Sequence, residues 1–216
     1  MSICNICGGN SFASGPNGRL SKLGSLPRCE KCQSLERHRA FRDIADKLRS
    51  RFDFSEMSAL QFSKDLSFQP IWFRNHLLSI YGGANSFDLQ NINLPNDAFD
   101  FIICNHVIEH IADDRSGLKE LLRIVTSSGI IFLSFPDPLG RAKTQDWGFP
   151  DENKHGHYRV YGADAVDKFK DILSEVYFLN GYGIDYVTNS REGVWLLTKS
   201  KSTYNQILES GFNLLD

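Results

Sequence analysis

Phe99-Asp100-Phe101-Ile102-Ile103-Cys104 and, further along, Ile130-Ile131-Phe132-Leu133-Ser134-Phe135 are the stretches whose reading decides the fold. Each is a near-continuous apolar run of strand length, the pattern of a strand covered on both faces. Between them, Asp113 or Asp114 suits the N-cap of a helix whose Leu118, Leu121, Leu122 and Val125 recur at helical spacing, with Ser128-Gly129 as the expected stop. Upstream, Ser58-Ala59-Leu60-Gln61-Phe62 reads as a first strand, and Leu77-Leu78-Ser79-Ile80-Tyr81 as a second, stopped by Gly82-Gly83. Pro70 suits an early helical position, with Ile71, Trp72, Phe73 and Leu77 following. Downstream, an irregular stretch runs from Pro136 to Tyr158, then a helix is expected over Ala163 to Leu173. Two closing strands follow over Val176 to Val187 and Gly193 to Thr198, and a last helix from Tyr204 to Leu215. Alternation of this kind predicts an α/β, doubly wound sheet.

Ahead of that body, Cys4-Asn5-Ile6-Cys7 is followed after 21 residues by Cys29-Glu30-Lys31-Cys32. Each Cys-x-x-Cys lets two thiolates meet one ion from a tight turn, and two such turns complete the tetrahedral sulfur shell that suits zinc. The intervening segment is rich in Gly, Ser and Pro, with Phe12, Leu20, Leu23 and Leu26 its only sizeable apolar residues. It is too poor in them to build a core, so a metal staple is physically sensible. Cys4, Cys7, Cys29 and Cys32 are therefore the expected metal ligands. With four protein ligands the zinc is structural. Residues 1–33 read as a zinc-binding segment and 34–216 as the main domain. The alternatives for the cysteines are disulfides in an exported protein, or free thiols.

Apolar residues make up 41% and charged residues 23% of the chain, which places it among ordinary globular proteins. A net charge of −2 gives no global attraction to nucleic acid, so no such partner is expected. No apolar run approaches the roughly 18 residues of a membrane span. Met1-Ser2-Ile3-Cys4 does not open a secretory signal, so the expected location is cytoplasmic, where thiols stay reduced. From Arg28 to Arg51 there are eight Lys or Arg against four Asp or Glu. Ser34 looks like the N-cap of a basic helix with Leu35, Ile44, Ala45 and Leu48 facing inward. Its charges read either as a solvated face or as a patch for an anionic partner.

Leu94-Pro95-Asn96-Asp97-Ala98-Phe99-Asp100, then Cys104-Asn105-His106-Val107-Ile108-Glu109-His110-Ile111, then Leu121-Leu122-Arg123-Ile124-Val125-Thr126-Ser127-Ser128-Gly129, resemble the class I S-adenosylmethionine-dependent methyltransferases. A narrower resemblance spans almost the whole chain. Some methyltransferase-like proteins share paired N-terminal cysteines, a segment like Cys32-Gln33-Ser34-Leu35-Glu36-Arg37-His38-Arg39, and one like His157-Tyr158-Arg159-Val160-Tyr161-Gly162. The resemblance implies a Rossmann-like sheet of the class I methyltransferase type that binds S-adenosylmethionine. It implies a first loop, Gln61, Phe62, Ser63 and Asp65, near the methionine end of the cofactor. It also implies Asp88 and Leu89 at the adenine, and Asn105 and His106 lining the sulfonium. The alternative for Asp88 is a turn aspartate capping local amides. Two departures from the family pattern stand out. The first loop has no glycine, and the acid that usually ends the second strand and holds the ribose is replaced by Tyr81-Gly82-Gly83.

Methyl transfer needs alignment and exclusion of water more than a fixed triad. A base for an oxygen or nitrogen acceptor is expected among His106, His110, His155 and His157, of which His106 and His157 are the leading candidates, with His110 alternatively a satisfied helix histidine. Arg159 is expected to fork onto a substrate carboxylate or phosphate, or else to sit in a buried ion pair. Cys104 reads as a small buried residue. The expected function is methyl transfer to a small molecule or saccharide. The alternative is a catalytically degenerate binding or scaffold protein on the same fold.

Overall fold

The structure is a computed structural model that describes residues 2–83, 85–136 and 140–215. In chain order its elements begin with β1 (Phe12–Ala13), β2 (Arg28–Cys29), α1 (Glu36–Arg49), β3 (Ser58–Phe62), β4 (Asn75–Ser79) and β5 (Phe99–Asn105). They continue with α2 (Asp114–Ile124), β6 (Val125–Ser134), β7 (Gln145–Asp151) and β8 (His157–Val160). The chain closes with α3 (Ala165–Lys168), α4 (Lys170–Leu173), β9 (Tyr177–Asp185), β10 (Ser190–Thr198), α5 (Lys201–Glu209) and β11 (Asn213–Leu214). Seven strands form the central sheet in the order β4-β3-β5-β6-β10-β9-β11. β4, β3, β5 and β6 are mutually parallel, and β10 runs antiparallel to both β6 and β9. This is an α/β fold with a mostly parallel central sheet, as expected.

The apolar runs sort by parity because successive side chains on a strand face opposite ways. Ile102, Cys104, Ile131 and Leu133 join a core with Leu118, Leu121 and Ile124 of α2, and with Tyr161 and Phe169. Phe101, Ile103, Ile130 and Phe132 join the opposite core with Phe41, Ile44, Ala45 and Leu48 of α1, and with Ile207 of α5. Both faces are thus covered, as the continuous apolar runs require.

β3 spans Ser58–Phe62 as expected, and Asp113 caps α2, accepting from the Ser116 amide at 3.0 Å. The closing helix expected from Tyr204 to Leu215 is instead α5, Lys201–Glu209, and Asn213–Leu214 pair with β9 as β11. Four further expectations shift. β4 ends at Ser79, and Tyr81 is fully exposed beyond it. Ser128-Gly129 does not end α2. The helix gives way directly to β6 at Val125, and the pair lies inside that strand, where its register with β5 shifts between Phe99 and Phe101. Pro70 opens only a 3₁₀ turn, Pro70–Trp72, so no α-helix connects β3 to β4. The Gly- and Pro-rich stretch after Pro136 holds the β7–β8 hairpin.

α1 lies close against β9. A methyl group built at Gly183 would sit 2.0 Å from the Ala40 carbonyl oxygen, so this contact admits no side chain. Gly183→Ala is expected to destabilise the protein by about 1–3 kcal/mol, as overpacking does. Urea unfolding checks this, and an unshifted midpoint would contradict the close packing. Several basic residues of α1 are engaged within the fold. Arg42 donates to the carbonyls of Ser67 and Leu66 and stacks over Trp72, and Arg49 stacks on the same ring. The loss of their hydration is offset by these contacts. Among the described residues no helix is long and apolar enough to cross a membrane.

Candidate functional site

At the N-terminus the four cysteine sulfurs converge, all within 4.8 Å of one another. Cys4 and Cys32 are 3.7 Å apart and Cys7 and Cys29 are 3.6 Å apart. A disulfide would need roughly 2.05 Å. Four thiolates at about 2.3 Å from one zinc ion lie roughly 3.8 Å apart along the edges of a tetrahedron. The donor set and spacing fit zinc. Both turns have the same construction, since the residue after the second cysteine of each pair, Gly8 or Gln33, takes a left-handed φ of 72° or 62°. Ser34 does not cap α1. That place falls to Leu35, whose amide donates to Nδ1 of His38 at 3.0 Å. The buried Ser34 hydroxyl instead lies 3.4 Å from the Cys4 sulfur and 3.2 Å from the Cys32 sulfur. Burial opposes ionisation of Cys32, but hydrogen bonds from Ser34 bring its thiol down to about 7. Arg39, fully buried, pairs with both oxygens of Asp185 at 2.8 Å and donates to the carbonyls of Ser34 and Pro27. One guanidinium therefore joins the cysteine segment to α1 and to the end of β9.

The carboxyl ends of β3, β5 and β6 form the second locus, where open α/β sheets bind ligands. Gln61 is buried; its amide nitrogen donates to the Ser63 carbonyl, and its side-chain oxygen accepts from Nε2 of His76 at 3.0 Å. Phe62 is buried in the core, and Ser63 turns the chain out of β3 with φ 64°. Asp65 accepts from the Ser67 amide and meets the Asn105 side chain at 3.5 Å, bringing the first loop against the tip of β5. Asn105 also accepts from Ser134 at the end of β6. His106 follows with φ 55°, its Nε2 buried and without a hydrogen-bond partner among the described residues. Burial pushes the His106 imidazole down to about 3, so it is neutral near pH 7. Asp88 is exposed and accepts from the amide and side chain of Gln90, the local turn geometry, while Leu89 beside it is buried. At the end of β4 no acid faces this locus. The Ser79 hydroxyl is taken by the Phe87 amide.

A cleft of about 300 Å³ is lined by His106, Arg19, Lys22, Arg37, Arg191 and Glu192 among others. The cysteine segment supplies one wall of it through Arg19 and Lys22. Arg19 forms a paired contact with Glu36 at 2.8 Å.

His157 lies on the β7–β8 hairpin and packs edge-on against His110, ring centroids 4.5 Å apart. Burial, then the neighbouring histidines, push it down to about 4. Arg159, expected to grip a substrate anion, has its fork occupied inside the protein. Nε donates to Asp146 at 2.6 Å, and the two terminal nitrogens donate to the carbonyls of Ile111 and Ala112 at 2.6 and 2.7 Å. It pins the hairpin to the turn after β5 and so sets His157 against His110. Cys104 is fully buried, and burial pushes its thiol up. The residue that sequence reasoning passed over is Glu109. It is fully buried, burial pushes its carboxyl up to about 8, and neither of its oxygens has a hydrogen-bond partner among the described residues. Its only signal in the sequence is its place in the Glu109-His110 pair just after a buried strand.

The family model described as a methyltransferase domain matches residues 37–169, more than half of the chain. No curated protein matches. Several solved structures are similar. One is an S-adenosylmethionine-dependent methyltransferase of Thermotoga maritima, a possible histamine N-methyltransferase. It is 13% identical, with 76% of this chain and 91% of that one covered and a TM-score of 0.47. Another is the 1,6-didemethyltoxoflavin-N1-methyltransferase of Burkholderia thailandensis, with 1,6-didemethyltoxoflavin and S-adenosylhomocysteine bound. It is 11% identical over 75% of this chain and 79% of that one, TM-score 0.49. A third is an S-adenosylmethionine-dependent methyltransferase of Aquifex aeolicus, 14% identical over 72% and 89%, TM-score 0.44. On the strength of the family match, this chain belongs to the S-adenosylmethionine-dependent class I methyltransferases.

Proposed function

We propose that the protein transfers a methyl group from S-adenosylmethionine to a small molecule or saccharide. The observation that carries the reading is the meeting of Asp65 and Asn105 across the tips of β3 and β5, beside the unpartnered Nε2 of His106. Gln61, Phe62, Ser63, Asp65, Asn105 and His106 would hold the methionine end of the cofactor, and Asp88 and Leu89 the adenine. When bound, the cofactor supplies an electrophilic methyl group on a sulfonium. His106 and His157 are the candidates for taking the acceptor's proton, and Arg159 acts as a positioning residue rather than a substrate clamp. The acceptor would enter the cleft beside His106. Its four cationic residues against two acidic ones, Glu36 and Glu192, favour an acceptor bearing negative charge.

Zinc at Cys4, Cys7, Cys29 and Cys32 belongs to this reading as a structural ion. It holds residues 1–33 as a wall of the cleft on the domain formed by 34–216. A reducing compartment such as the cytoplasm would keep its thiols available.

The missing acid beside the ribose favours one rival, a binding protein on the same fold. Lack of that acceptor is expected to cost about 1.5–3 kcal/mol of cofactor affinity, roughly 10- to 100-fold. Equilibrium dialysis with labelled S-adenosylmethionine tests the placement. Asp88→Ala is expected to weaken binding by about 1–3 kcal/mol. Unchanged affinity in that variant would move the adenine elsewhere.

A further inference from the structure

We propose that Glu109, His110 and His157 form a second metal centre, for a divalent transition-metal cation, between the 3₁₀ turn Ile108–His110 and the β7–β8 hairpin. One carboxylate oxygen and one nitrogen from each imidazole lie within 4.8 Å of one another. Ligands about 2.1 Å from a shared cation sit roughly 3–3.5 Å apart, so small rotations of the half-buried His157 and the exposed His110 complete the set. Two imidazoles and one carboxylate are the donor set of iron, zinc and manganese sites that keep open coordination positions. The site is chemically distinct from the four-sulfur cluster.

An independent observation points to a ligand. Glu109 has no exposed surface, and both of its carboxylate oxygens lack a hydrogen-bond partner among the described residues. Nδ1 of His106 is 3.7 Å from Oε1 of Glu109, beyond hydrogen-bond reach. A buried carboxylate without partners is costly, and a coordinated cation removes that cost. The supporting shell is in place. Arg159 clamps the hairpin that carries His157 onto the carbonyls of Ile111 and Ala112. Outer contacts of this kind orient ligands at metal sites. The open positions would take water or an oxygen of the acceptor, and a metal-bound hydroxyl loses its proton more readily. That last role rests on the methyl-transfer reading, whereas metal binding does not.

The test is a calorimetric titration of the full chain with Zn²⁺, without S-adenosylmethionine or acceptor, after the cysteine site has been filled. Its failure would therefore leave the methyl-transfer reading standing. Wild type is expected to take up one further equivalent. His110→Ala and His157→Ala should each weaken that equivalent by more than the roughly 10- to 100-fold typical for loss of an outer partner. Both side chains reach the surface, so these variants are expected to fold, and Glu109→Gln adds a third where it folds. Co²⁺ as a second probe should give d–d bands free of thiolate charge transfer, lost in His157→Ala. Absence of the further equivalent in wild type would overturn the proposal, as would an equivalent that both histidine variants retain unchanged.

Discussion

Cys29→Ser is expected to release the sulfur-bound zinc and unfold residues 2–33, while the central sheet stays folded. Cys29 is fully buried, and its sulfur lies 3.6 Å from that of Cys7. With one thiolate gone, the remaining three leave an open tetrahedron. The segment around them has no apolar core of its own, since β1 and β2 pair through only Phe12–Cys29 and Ala13–Arg28 and Leu20, Leu23 and Leu26 are exposed, so the polar ties of Arg19 to Glu36 and of Arg39 to Pro27 are left to dock it. Structural zinc in small domains contributes on the order of 10–16 kcal/mol of binding free energy at neutral pH, and this energy is folding energy. Elemental analysis of the sulfur-bound metal and limited proteolysis between Gly9 and Arg28 read the outcome. Zinc retained at the wild-type level, with no new cleavage, would contradict the assignment. Because Arg19 and Lys22 line the cleft beside His106, the same variant should also lose that wall.

Arg39→Ala is expected to cost about 3–5 kcal/mol, the range for leaving a buried charge without its partner. Both Arg39 and Asp185 have only 1% of their side-chain surface exposed. The substitution removes two hydrogen bonds to Asp185 and those to the carbonyls of Ser34 and Pro27. Asp185 would keep only the Thr188 hydroxyl and the Val187 amide. Urea unfolding of the variant measures this, and a loss under about 1 kcal/mol would show that water reaches the pair. The effect should extend to the cysteine segment, because Arg39 also holds the main chain of Ser34, whose hydroxyl faces two of the four sulfurs.

The parts of the molecule legible in the sequence are those set by local pattern. The apolar runs of β3, β5 and β6 specify buried strands by themselves. Asp113 specifies a helix start through its own side chain, and the paired cysteines state their partner by spacing. Other features depend on what the chain meets far away. Ser128-Gly129 looks like a helix stop, yet pairing with β5 draws the chain into a strand at Val125. Ser34 looks like a cap, yet its hydroxyl is claimed by sulfurs from Cys4 and Cys32. The β7–β8 hairpin is masked by Gly148, Pro150 and Gly156, which mark turns without revealing which strands they join. Arg159 and His157 were legible as chemistry-bearing residues, but not their partners. Only the folded hairpin brings His157 to His110 and exhausts the Arg159 fork on the turn after β5. Glu109 was passed over because a glutamate on a turn is ordinary in a sequence and exceptional only once it is buried without a partner.

The most direct test of the methyltransferase reading is a calorimetric titration of the wild-type chain with S-adenosylhomocysteine. The account predicts saturable binding at one equivalent per chain. Affinity should be weakened roughly 10- to 100-fold relative to a site with the ribose-binding acid, which corresponds to about 1.5–3 kcal/mol. Absence of binding at millimolar ligand would contradict the account and leave a binding protein on a methyltransferase fold.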